Sequence, residues 1–307
     1  METIRLLSLQ TLLMLLLAGV GFILFKTGKI SQEGSKSLGN ILICAVLPCV
    51  IVKGFLVERT QARITGLLIS LLGAAVLLAV AVVISRLIFR RDPIAAFGAA
   101  FSNPGFFGIP LITAALGSEN VFYIAAFIGL LNLLQWTYGV ALMTGKRGSL
   151  RLSALVRAPF LIAIVIGLIL FFTALPLPGL LTDALGSVAG LNTPLAMFTV
   201  GVYLAQADWK RMFTNIKLYA ISTIRLVVIP LICLLLLWPV PAEWLSVKLA
   251  LLIAAACPVG SNIAVYAALH GKDSAYAAQS VVISTLLSVV TLPVLVGLAN
   301  VLWSIGG

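Results

Sequence analysis

The chain has 307 residues, of which 62% are hydrophobic and 9% charged, with a formal net charge of +11 and a mean hydropathy of +1.18. A water-soluble chain carries roughly 25% charged residues, so 20 Lys plus Arg, 9 Asp plus Glu and one His are too few to wet a 32.4 kDa globule. A soluble enzyme is excluded. The apolar runs are continuous rather than alternating, which also excludes a transmembrane barrel and leaves an all-α membrane protein.

Apolar stretches fall at about 6–26, 38–57, 65–89, 94–116, 120–143, 159–178, 184–206, 217–239, 244–269 and 274–303, which predicts ten transmembrane helices. The first run, Leu6 to Phe25, is too long for a secretory signal core and no small-residue cleavage site follows, so it reads as a span. Cys44, Cys49, Cys233 and Cys257 lie inside apolar runs without the neighbours a metal site needs, and they read as buried small hydrophobes.

Cytoplasmic loops of membrane proteins are enriched in Lys and Arg. One set of loops and span ends carries Lys26, Lys29, Lys36, Arg86, Arg90, Arg91, Lys146, Arg147, Arg151, Arg157, Lys210, Arg211, Lys217 and Lys272. The opposite set carries Arg5, Arg59, Arg63 and Lys248. Fourteen against four places both termini outside the cytoplasm, in the cytoplasmic (inner) membrane, and the net positive charge reads as topology rather than as a nucleic-acid surface.

The most basic loop, 144–158, divides the chain into two five-helix halves, 1–143 and 159–307, and an odd number of spans per half implies inverted repeats. The fourth stretch holds Ser102-Asn103-Pro104-Gly105-Phe106-Phe107-Gly108-Ile109-Pro110, and the ninth holds Cys257-Pro258-Val259-Gly260-Ser261-Asn262. Pro104 and Pro258 are 154 residues apart, as are Gly117 and Gly271, against a half-length of 153.5. Proline removes a backbone donor and glycine loosens the chain, so both helices should break near mid-membrane. Paired breaks in two halves point to a substrate site, and the exposed N-termini of half-helices suit an anion such as a carboxylate.

The candidate substrate-binding residues are therefore Asn103, Pro104, Gly105, Gly108 and Pro110 with Pro258, Gly260, Ser261 and Asn262. Asn132 and Gln135 share a helical face in the fifth stretch with Gly139 and either line the path or bond between helices. Thr113, Tyr266, Ser284, Thr285, Ser288 and Thr291 are weaker candidates of the same kind. Arg225 lies eight residues beyond Lys217, about 12 Å along a helix, and reads either as a substrate-facing charge or as a partner of backbone carbonyls at the breaks. Lys53 is close to a span end and can extend its amine outward, towards Glu58. His270, the lone histidine, reads as a helix-terminal residue, with Asp273 capping the last span.

The stretch Phe101 to Leu111, together with Pro48, Thr193-Pro194, Gly201, the proline-containing ninth span and Ser284 through Pro293, resembles the auxin efflux carrier family in order and spacing over nearly the whole chain. The long central loop of plant members is absent, so the chain looks like a short prokaryotic member. The resemblance implies two inverted five-helix repeats, a fold shared with bile acid:sodium symporters, with helices four and nine crossing at their breaks. It implies a panel domain of helices 1, 2, 6 and 7, a transport domain of the other six, and a homodimer through the panel. Its members move organic anions such as auxin, malate or malonate, and Asn103, Pro104, Pro258 and Asn262 match its crossover positions.

The expected function is a secondary transporter of a small organic anion, with a channel or receptor using the same site as the alternative. An intramembrane enzyme lacks a nucleophile with its base, a metal cluster or paired carboxylates, since all nine acids lie at or near span ends. No cofactor and no metal are implied. The lipid bilayer and the anion are the expected partners.

Overall fold

Lipid offers a backbone no hydrogen-bond partner, so apolar runs of this length must satisfy their own N–H and C=O groups as helices. In the computed structural model, which describes residues 2–145 and 157–305, they do. The helices are α1 (Glu2–Lys26), α2 (Gln32–Phe55), α3 (Gln61–Ile88), α4 (Pro93–Ala100), α5 (Pro104–Leu116), α6 (Ser118–Thr144), α7 (Pro159–Thr173), α8 (Gly179–Gln206), the short α9 (Trp209–Thr214), α10 (Ile216–Leu236), α11 (Leu245–Ala256), α12 (Asn262–Leu269) and α13 (Ser274–Ile305). Seven of these described helices are long and apolar enough to cross a membrane: α1, α2, α3, α6, α8, α10 and α13. The sequence led to an expectation of ten, and the difference is one of length. The fourth and ninth stretches are each cut into two short helices, and α7 has only 15 residues. Lys146, Arg147 and Arg151 of the basic loop lie outside the described residues.

The sparse polar residues between helices are used as caps. Ser31 accepts from Gly34 N–H at 3.0 Å, Thr60 from Arg63 N–H at 3.2 Å, and Asp92 from Ala95 N–H at 2.9 Å with Pro93 in the first helical position. Asp273 accepts from Tyr276 N–H at 2.9 Å, the role expected of it.

Prolines inside the helices leave a recurrent mark. Leu42–Val46 precedes Leu47-Pro48, Pro104–Gly108 precedes Ile109-Pro110, and Ile224–Val228 precedes Ile229-Pro230, and each is a π turn. Proline cannot donate and its ring crowds the carbonyl four residues back, so the helix widens by one residue just before it. A fourth π turn, Gln135–Gly139, has no proline.

Packing groups α1 with α8, and α2 with α7 and α8, while α3 packs on α4, α6 and α11. Small residues make the closest approach possible. A Cβ on Gly201 of α8 would sit 2.0 Å from Ala18 O of α1, and one on Gly21 would sit 2.4 Å from Phe198 O. Of the four cysteines, Cys233 and Cys257 are buried as expected, but Cys44 is exposed and Cys49 half-buried. The outer face of a membrane helix is as apolar as its inner face, so an apolar run does not separate the two. Because backbone atoms cannot move aside, Gly201→Val should destabilise the protein by about 3 kcal/mol or more through overpacking, read as a lowered melting temperature in detergent. An unchanged melting temperature would mean that α1 and α8 do not pack this closely.

Candidate substrate site

Asn103 precedes Pro104 and Cys257 precedes Pro258, and the proline ring drives a preceding residue out of the helical region. Asn103 accordingly has φ −114°, ψ 65° and Cys257 φ −58°, ψ 151°, ending α4 at Ala100 and α11 at Ala256. The two extended breaks lie side by side. Ser102 pairs antiparallel with Val259, and Gly260 N–H donates to Phe101 O at 2.9 Å. Glycine suits position 260, where a Cβ would crowd Ser102 O at 3.0 Å and Phe101 O at 3.4 Å. Val259 N–H donates to Ser284 Oγ at 3.0 Å, which ties the junction to α13.

Breaking two helices exposes two carbonyl ends and two N–H ends. Arg225, 1% exposed in the π turn of α10, serves the carbonyl ends. Its Nη1 donates to Ala99 O at 3.0 Å and Ala100 O at 2.9 Å on α4, and its Nη2 donates to Ala255 O on α11. One guanidinium thus caps both half-helices and places its charge at the negative ends of both dipoles.

The N–H end of α5 is capped by Asn103, whereas that of α12 has no side-chain cap. Asn103 Oδ1 accepts from Phe106 N–H at 3.4 Å, its main-chain oxygen accepts from Phe107 N–H at 3.1 Å, and its Nδ2 reaches Ser261 Oγ at 3.5 Å. Asn262 Nδ2 donates to Gln135 Oε1 at 3.3 Å. No acceptor among the described residues takes the N–H of Gly105, Ser261 or Asn262. These groups surround a cavity of about 60 Å³, into which Ser102, Asn132, Gly260, Leu47 and Phe160 also face. That is room for a few waters or one carboxylate group. Among the described residues no ionisable side chain lines it, and the buried Ser102 Oγ has no partner.

The residues selected from the sequence divide by position. Asn103, Pro104, Gly105, Asn132, Gln135, Gly260, Ser261 and Asn262 line the cavity together. Asn132 also donates to Ile128 O at 2.8 Å within its own helix. Pro258 is buried at the break behind the lining, and Gly108 packs against Cys257, where a Cβ would come within 3.2 Å of Sγ. Pro110 borders a second, separate cavity. Arg225 is outside the lining and occupied by carbonyls, the second of the two roles considered for it. Asn192 was not selected. It is 3% exposed on α8, and its Nδ2 donates to Gly105 O at 3.2 Å. An asparagine within a largely apolar run, next to Thr193-Pro194, was the available signal.

Arg225→Gln leaves up to three buried carbonyls uncapped, at about 1–3 kcal/mol each. It should lower the melting temperature of the purified protein markedly. A variant with wild-type melting and only a raised half-saturation constant would instead place Arg225 at the substrate.

Comparison with known proteins gives the family. Residues 7–296 match the family described as membrane transport protein. The chain is 26% identical over 308 residues to an "Uncharacterized transporter" of Methanothermobacter thermautotrophicus, covering 97% of this chain and 98% of that one. It is also 26% identical over 294 residues to a "Putative malonate transporter" of Rhizobium meliloti, covering 89% and 90%. The family and both relatives are transporters rather than enzymes. With its membrane-length helices and a match over nearly its whole length, the chain belongs to the membrane transport protein family of auxin efflux carrier type.

Proposed function

We propose that the protein is a secondary carrier for a small organic anion, a carboxylate of the malonate, malate or auxin-like class. The anion binds where the two broken helices meet and moves by alternating access across the cytoplasmic membrane. The observation that carries this reading is the cavity at the junction of the breaks, rich in amide donors and without an ionisable side chain. Side-chain amides of Asn103, Asn262, Gln135 and Asn132, the hydroxyls of Ser102 and Ser261, and the N-termini of α5 and α12 would hold the negative charge. The relative named as a malonate transporter supports a dicarboxylate.

In this reading α4 with α5, and α11 with α12, are the fourth and ninth of ten passes, crossing at Ser102 and Val259 in two inverted halves. Both termini lie outside the cytoplasm. The packing of α1 with α8, and of α2 with α7 and α8, supports a panel against which the remaining helices move as a transport domain.

Reconstituted in liposomes, the protein should take up labelled malonate saturably and show counterflow, which a channel would not. Asn103→Ala and Asn262→Ala should each lower uptake at least about tenfold, the loss of a hydrogen bond to a charged group, while expression stays intact. Wild-type transport in both variants would remove the junction from the mechanism.

A further inference from the structure

A cavity of about 370 Å³ lies between α1, α2, α5, the start of α6 and α8. It adjoins the junction along a single seam. On α2, Ile43 and Leu47 border the junction cavity, and Val50, Lys53 and Gly54, further along the same helix, border the larger one. On α5 the order repeats, with Pro104 to Phe106 at the junction and Ile109, Pro110 and Thr113 at the larger cavity. The two spaces therefore follow one another towards the loop that joins α2 to α3.

Asn192 stands between them. It borders the larger cavity while its Nδ2 holds Gly105 O, at the edge of the smaller one. Its Oδ1 is buried and has no partner among the described residues. The larger cavity contains one charged side chain, Lys53. No described carboxylate pairs with that ammonium, and the pairing with Glu58 suggested by the sequence is not formed. Gly186 opposite leaves it room, since a Cβ there would sit 3.4 Å from Nζ. Gln10, Thr113 and Thr193 add an amide and two hydroxyls.

We infer that this cavity is a second carboxylate-binding site, an entry vestibule where Lys53 holds the anion on its way to or from the junction, and where the Asn192 to Gly105 hydrogen bond closes the passage between the two. The inference rests on the carrier reading of the junction. A lone ammonium in a partly enclosed cavity concentrates anions there, and its field is not cancelled by an acid in the lining. The division of labour follows from the chemistry. The deep site holds the anion with neutral donors from which it can be released, and the full charge is kept at the mouth, where water moderates its grip.

The test is uptake of labelled malonate by proteoliposomes carrying the full chain with Lys53→Gln, Lys53→Met, Lys53→Arg or Asn103→Ala. Lys53 is exposed and its ammonium has no hydrogen-bond partner among the described residues, so its variants should melt as the wild type does. Lys53→Gln and Lys53→Met should raise the half-saturation constant about tenfold, the loss of one charge-assisted hydrogen bond, with most of the effect there rather than in the maximal rate. Lys53→Arg should retain most of the affinity. An unchanged half-saturation constant in both neutral variants, or a fall in maximal rate alone, overturns the vestibule, and if Asn103→Ala has lost uptake the junction stands. Normal uptake by Asn103→Ala and by Asn262→Ala alike removes the junction and the vestibule with it.

Discussion

The contact on which the structure depends is the grip of Arg225 on Ala99, Ala100 and Ala255. Two helices that stop inside an apolar protein leave carbonyls with nowhere to turn, and each such group costs about 1–3 kcal/mol when buried unpaired. Meeting three of them with one guanidinium lets both breaks exist at the same place. It also sets the sign of the site. The negative ends of α4 and α11 are answered by a buried cation, while the positive end of α5 is met by the neutral Asn103 amide and that of α12 has no side-chain cap. What remains unanswered at the junction is partial positive charge, which favours an anion.

Pro293 lies within α13 without a π turn, but elsewhere proline acts in two ways, and the neighbours decide which. At Pro48 and Pro230 the helix continues, widened by a π turn that absorbs the missing donor. At Pro104 and Pro258 it stops. There an asparagine able to cap the next helix precedes one proline, and a glycine two residues after the other permits two backbones to touch. The π turn of α10 also carries Arg225, so one proline-driven distortion accompanies the residue that holds the other two breaks together.

Much of the site was legible in the sequence because broken helices need specific residue types. Asn103-Pro104-Gly105 and Pro258 to Asn262 were marked by composition, and Asn132 and Gln135 by their polarity in an apolar run. All but Pro258 and Val259 of these line one cavity. The depth of Arg225 could be counted, but its target could not, since Ala99, Ala100 and Ala255 engage it through carbonyls that every residue possesses. Pro110 belongs to the motif yet borders the other cavity, because six residues of helix carry it past the break. Lys53 read as a snorkelling side chain, and only the packing of α8 against α2 reveals a cavity around it. The boundary between buried and outward-facing positions, as at Cys44, was closed to sequence reasoning because both faces are apolar.

The central claim is that the two breaks meet and that an anion sits on their N-terminal ends. A cryo-electron microscopy structure of the protein with malonate tests it most directly. Ligand density is expected between Asn103 and Asn262, with a carboxylate oxygen about 3 Å from side-chain amide or main-chain nitrogen and Arg225 still on the carbonyls of Ala99, Ala100 and Ala255. Continuous helix through 101–103 and 257–261, or malonate bound on Arg225 with the junction cavity filled by side chains, would contradict it.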